Sequence, residues 1–329
     1  MQITQPDYYE QFSCIAGDCP DTCCAAWQVV LDEEHAALYR RTQGALGEKM
    51  CEGMCQIDGE TCFKLKNGRC WMLRDDGLCD IQKELGEAAL SQTCGFYPRF
   101  VTELGLMRER GLSISCPEVA RIILTRTEPT RLLTHSTDEP LRYFHDVDPE
   151  DILFAKQTRD AAIARIQERK IPLAKRLFDI LGLISEEEPC VFNGFREEMY
   201  DVFLSLSPLR AQWTELLQRA KSAPAPTRLD ESLAWEQLFC YYIYKYALRA
   251  AMDGDFEEKL CLSIVNILLL QDIYSQGEHD LVSLVQLHAK ETEHSEENLQ
   301  LLCEAMAERP AFCAQSLQGF LRSFESHIF

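Results

Sequence analysis

The stretch Cys14-Ile15-Ala16-Gly17-Asp18-Cys19-Pro20-Asp21-Thr22-Cys23-Cys24 puts four thiols within eleven residues, around a glycine and a proline that let the backbone turn about a centre. Cys70, Cys79, Cys94 and Cys116 follow at longer spacing. Soft thiolates select zinc or an iron–sulfur cluster over hard cations. Either centre takes about four of them. The supply suffices for one centre with spares, or for two, and the thiol count does not choose between zinc and iron. The Cys-x2-Cys-x2-Cys run of bacterial ferredoxins is absent. So is the Cys-x3-Cys-x2-Cys spacing of radical S-adenosylmethionine enzymes; the chain reads Cys-x4-Cys-x3-Cys-Cys.

The chain has 329 residues and 16 cysteines, with 46% hydrophobic and 26% charged residues. At roughly 100–200 residues per domain there is room for two domains. A chain of this length buries a core without covalent staples. The N-terminus MQITQPDYYEQFSC has neither the basic nor the apolar segment of a secretory signal. The longest apolar run, Leu260 to Leu270, is too short to cross a membrane. The expected compartment is the cytoplasm, where stable disulfides are rare, so metal binding is the first explanation for the thiols. Net charge is −20, with 33 Lys+Arg against 53 Asp+Glu. Nucleic acid and anionic membrane are thereby expected to be repelled, and no Lys/Arg run marks a basic patch.

Five cysteines, Cys190, Cys240, Cys261, Cys303 and Cys313, are scattered through the second part of the chain and read as core side chains. The other eleven crowd the first 120 residues, a region of turns such as Asn67-Gly68 and Asp76-Gly77. Two helices are expected there, one opening at Asp32-Glu33-Glu34 and one at Asp80. Trp27 to Leu31 reads as a short strand. Ser115-Cys116-Pro117-Glu118 reads as a capping box, with Cys116 at a helix N-terminus that favours its thiolate. Beyond a loop-rich connection at 128–150 the pattern is helical, with a break at Ala223–Thr227 and no alternating strand. The expectation is a mainly α chain: an irregular Cys-rich metal-binding region, residues 1–127, packed on an α-helical bundle, residues 128–329.

Four stretches carry a resemblance. They are Phe12-x-Cys14…Cys19-x3-Cys23-Cys24-x2-Trp27; Gly68-Arg-Cys70-Trp71-Met-Leu73; Leu78-Cys79-Asp-Ile-Gln82-x2-Leu85-Gly-Glu87-x2-Leu90-Ser-x-Thr93-Cys94-x2-Tyr97-Pro98-Arg99; and Ser115-Cys116-Pro-Glu118-x-Ala120-Arg121. In order and local wording they resemble the flagellin lysine N-methylase family, related to the CxxCxxCC zinc- or iron-chelating proteins. Tyr244–Asp255 and Lys290–Asn298 are similar to its C-terminal half. The resemblance implies methyl transfer from S-adenosylmethionine to lysine amines of flagellin, and a protein-bound iron–sulfur cluster, 4Fe-4S before zinc. It carries over Cys14, Cys19, Cys23, Cys24, Cys70, Cys79, Cys94 and Cys116 as ligands. Cys51, Cys55 and Cys62 match nothing in it. Tyr97 and Arg99 are expected beside the centre, where Arg99 can donate to a bound carboxylate.

Such a transfer needs a deprotonated lysine held in line with the sulfonium. The candidates in the helical half are Asp253, Asp255, Glu291, Glu293 and His294. Each has a plainer reading: Asp253-Gly254-Asp255 is a turn with a capping carboxylate, Glu291 to Glu297 a solvated acidic face, and His294 a structural histidine. Glu293, His294, Asp253 and Tyr246 are retained as catalytic candidates. Phe239, Tyr242 and Tyr246 at i, i+3, i+7 read first as core and second as a pocket for adenine or a lysine stem, with Tyr242 as its cofactor contact. No glycine-rich strand-to-helix turn of a doubly wound nucleotide fold is present. If an open iron holds the amino and carboxylate groups of the cofactor, only three cysteines hold the cluster. Two rivals stand on the same residues: a zinc-stapled adaptor without catalysis, and an iron–sulfur redox module.

Overall fold

The longest helices form where leucine, isoleucine and aromatic side chains run together without glycine or proline. A computed structural model describes residues 1–25, 28–57, 59–140, 145 and 147–325. Among these, fourteen α-helices account for 56% of the chain, as a mainly α reading requires, beside a small mixed sheet.

The sheet is a departure from the sequence reading. Its strands are β1 (Gln2–Pro6), β2 (Arg99–Leu104), β3 (Met107–Leu112) and β4 (Leu132–Ser136), in the order β2-β3-β1-β4. β1 runs parallel to β3 and antiparallel to β4. In β2 and β3 buried ion pairs stand where apolar alternation would announce a strand. Arg108 Nε donates to Glu103 Oε1 at 2.6 Å, and Arg159 Nη1 to Glu109 Oε1 at 2.5 Å, all four side chains being buried. A charge can be buried when its partner is in contact.

Around the sheet lie α1 (Gln92–Phe96), α2 (Pro117–Leu124), α3 (Pro149–Ile166), α4 (Leu233–Asp253), α5 (Phe256–Tyr274), α6 (Leu281–Glu293) and α7 (Glu296–Glu308). α5 is buried on every side, which places it at the centre of the bundle. One large apolar core joins Tyr8, Leu112 and Ile114 to the helices; a smaller one, from Val29 to Ala89, lies within the Cys-rich stretch.

Local expectations meet mixed outcomes. Asp32 caps a helix over Glu33–Arg41, its carboxylate accepting from His35 N. The Asp80 helix stops at Leu85, where Gly86 turns to φ 84°. Trp27 lies outside the described residues, and Val30 makes one isolated bridge to Cys62 rather than a strand. The capping box does not form: Cys116 is the N-cap of α2, without a side-chain bond, and Ser115 turns elsewhere. Burial outweighs the helix dipole at Cys116 and lifts its thiol to about 11, although the N–H groups of Val119 and Glu118 pull the other way. Of the five scattered cysteines, Cys240 and Cys261 are core, whereas Cys190 is exposed.

Candidate metal centre and its polar wall

Five separate stretches of chain bring cysteines to one place. Cys14, Cys19, Cys23, Cys24, Cys79, Cys94 and Cys116 line a single cavity of about 370 Å³, together with Asp21, Glu87, Tyr97 and Arg99. Cys70, buried just behind, senses the charges of Cys79 and Cys23. Cys23 Sγ and Cys24 Sγ are 4.0 Å apart. Donation from Cys24 is the leading cause that lowers the Cys23 thiol to about 7, while burial pushes Cys94 up to about 12. A pocket of thiols without a cation resists ionising; a bound cation reverses that balance. Among the described residues no three His, Cys, Asp or Glu side chains stand ready as a metal-ligand set. The thiols share a cavity rather than a coordination polyhedron.

Cys51, Cys55 and Cys62 are elsewhere. Cys55 and Cys62 face each other across the hairpin formed by Met54–Ile57 and Glu60–Phe63, and Cys51 Sγ points to Tyr39 O at 3.9 Å.

A continuous polar network, the polar wall, runs back from Tyr97, which lines the cavity. The Tyr97-Pro98 peptide is cis, and Tyr97 Oη lies 3.0 Å from Ser115 Oγ. Ser115 Oγ also meets His294 Nε2 at 2.9 Å and Ser113 Oγ at 2.8 Å. Ser113 Oγ donates to Glu293 Oε2 at 3.0 Å. Glu293 further accepts from Tyr241 Oη at 2.9 Å and Lys245 Nζ at 2.5 Å. Tyr97, Glu293 and His294, each a sequence candidate, thus share one network although about 200 residues separate them. Burial lowers His294 to about 4, so the ring is neutral near neutral pH. Arg99 lies over the Phe12 ring at 5.3 Å and lines the cavity.

The other candidates lie away from it. Asp253 ends α4 and accepts from Lys259 at 2.6 Å, an ion pair at a helix turn. Asp255, pushed up to about 6 by burial and by Asp253, shares that lysine. Tyr242 and Tyr246 are fully buried and stacked on each other, and the Tyr242 hydroxyl meets His288 Nδ1 at 3.2 Å. Glu291 is buried, not solvated, and accepts from Leu209 N at 2.7 Å.

The sequence reading missed Asp21, Ser113, Tyr241, Lys245, Gln286 and Lys290. Asp21, inside the first thiol loop, accepts from Lys290 Nζ at 2.7 Å, Gln286 Nε2 at 2.8 Å and Arg210 Nη2 at 3.2 Å. A spacing signal was present: Gln286, Lys290 and Glu293 fall at i, i+4, i+7, one face of α6.

No protein-family model matches the chain, and no solved structure does. Over 131 residues, 38% of its length, the chain is 32% identical to the flagellar biosynthetic protein FliU of Salmonella muenchen, covering 78% of that protein. Over an equal length it is 31% identical to the lysine-N-methylases of Salmonella typhimurium and Salmonella choleraesuis, of which it matches 33%. The matched segment thus spans about a third of those methylases. Family identity rests on relatives above 30% identity, one of them covered over more than two thirds of its length, and the chain belongs to the flagellin lysine N-methylase family.

Proposed function

We propose that this protein transfers a methyl group from S-adenosylmethionine to lysine ε-amines of flagellin, next to an iron–sulfur cluster held by its cysteines. The observation that carries the reading is that seven cysteines line one cavity with Tyr97 and Arg99 in its wall. The donor set fits such a group: it is all sulfur, drawn from residues 14–116, and one thiol is already near neutrality. The ligands would come from Cys14, Cys19, Cys23, Cys24, Cys70, Cys79, Cys94 and Cys116. An iron with an open position, when bound, supplies a site for the amino and carboxylate groups of the cofactor. Arg99 would pair with that carboxylate. The chain's own part is to strip and place the amine. A lysine ammonium has no lone pair, so a proton must leave before the nitrogen can attack the methyl carbon. Tyr97, which lines the cavity, would receive that proton, and the groups hydrogen-bonded behind it would carry it off.

Anaerobically purified protein tests both halves. Bound iron with acid-labile sulfide is expected, together with a mass gain on flagellin lysines that depends on S-adenosylmethionine. A colourless protein with stoichiometric zinc would sink the cluster. Loaded protein that leaves flagellin unmodified would sink the transfer.

A further inference from the structure

A second cavity, of about 410 Å³, is lined by Phe100, Lys245, Arg249 and His145 among others, and its Lys245 reaches Glu293 of this network. Lys245 is held at its inner end by Glu293 and lies over the rings of Phe100, at 5.4 Å, and Tyr241, at 5.6 Å. We propose that Tyr97, Ser115, Ser113, Glu293 and Lys245 form a one-way proton relay from the thiol cavity to this second cavity. The relay rests on the methylase reading, because it is the path by which the substrate ammonium loses its proton.

The direction follows from counting donors. Ser113 Oγ donates to Glu293 Oε2, so the single Ser113 proton is committed there. The contact of 2.8 Å between Ser113 and Ser115 must then be donated by Ser115. That uses the only proton of Ser115, whose oxygen must accept from Tyr97 Oη and from His294 Nε2. Every hydroxyl from Tyr97 onward therefore donates toward Glu293. The same count gives His294 its proton on Nε2, which makes it a donor that fixes the Ser115 oxygen; Glu293 is the acceptor at the end of the chain.

The transfer balances. An N–H bond of the substrate ammonium breaks as Tyr97 Oη takes that proton. Tyr97 passes its own to Ser115, Ser115 to Ser113, and Ser113 to Glu293 Oε2. Lys245 Nζ releases a proton to water in the second cavity and takes the one on Glu293. The neutral amine then attacks, a nitrogen–carbon bond forms, and the sulfonium carbon–sulfur bond breaks. Burial pulls the Lys245 ammonium below the ordinary lysine range, which eases its release.

Ser113→Ala and Ser113→Thr, each first checked for an unchanged melting curve, test the relay. Flagellin methylation by the alanine variant is expected to fall about a hundredfold near pH 7. It should recover near pH 10, where lysine sheds its proton to water unaided. Threonine, which keeps the hydroxyl, should hold the wild-type rate. Alanine acting at the wild-type rate near pH 7 would overturn the relay, as would a loss that alkaline pH does not repair. Nitrogen-15 NMR of His294 decides the donor order without turnover. The Nε2–H tautomer is expected; the Nδ1–H tautomer would break the chain whatever the protein methylates. Wild-type protein inert toward flagellin would sink the methylase reading alone, and the tautomer would still decide the wire.

Discussion

Lys290 Nζ donates to Asp21 Oδ2 at 2.7 Å across 269 residues of sequence, and ties the first thiol loop to α6. The same ammonium donates to Thr22 O at 3.1 Å. Lys290 is buried, and without it Asp21 keeps only Arg210 and Gln286. Lys290→Met is expected to cost about 2–4 kcal/mol in urea unfolding. It should also release the loop, read as faster amide exchange over residues 19–24. An unchanged exchange pattern would mean that the loop holds itself.

Acid should weaken the same clamp. Burial alone would raise the Asp21 carboxyl, but the bond and charge of Lys290 and the Thr22 N–H hold it at about 2. A carboxyl lowered by folding adds stability above its unfolded value and loses it as pH falls toward the folded one. The window is therefore about pH 4 down to about pH 2. Wild type should lose about 2 kcal/mol there that Asp21→Asn does not lose. Parallel curves for the two proteins would refute this.

The histidines act in a milder range. Burial holds His288 and His294 near 4, below the unfolded value of about 6.5. The unfolded chain then binds more protons between those values. Stability is full above about pH 6.5 and falls as pH drops toward about 4. Each histidine is expected to contribute up to about 3 kcal/mol to that slope. His288→Gln should flatten it in a denaturation series, and a slope equal to wild type would reject the assignment.

Thiol removal separates the two classes of cysteine. Cys94→Ala and Cys24→Ala are expected to lower the metal bound per chain, while Cys51→Ser and Cys55→Ser keep it, because the last two lie outside the cavity. Metal analysis with a sulfide assay reads the difference. Equal losses in all four would dissolve the distinction.

Gly111 tests the packing around Lys245. A Cβ there would stand 2.1 Å from the Phe100 ring, which lies against the Lys245 ammonium. Gly111→Ala is expected to cost about 1–3 kcal/mol by displacing that ring. A melting temperature equal to wild type would show that Phe100 moves freely.

The thiol set and the long helices were legible because their signals are local. Cysteine density in the first 120 residues stands out in any window, and the helical pattern beyond residue 150 includes the whole of α5. The sheet was not legible. Its strands pair residues such as Ile3 with Arg108 and His135, and buried charge stands where alternation would have shown. The polar wall was half legible. Glu293, His294 and Tyr97 were singled out one by one, but Ser113 and Lys245 acquire meaning only when β3 and α4 pack together. Asp253 was attractive in sequence because it adjoins a glycine turn; Lys259, six residues on, explains it without the cavity.

The clamp between Asp21 and α6 also bears on biosynthesis. A nascent chain that has emerged through residue 116 carries all eight thiols of the set, yet neither Gln286 nor Lys290 has been translated. Until they are, the thiol loop lacks its anchor, and the last serine of the polar wall has no histidine to fix it. Lasting closure of the thiol loop therefore waits until the ribosome has passed residue 290.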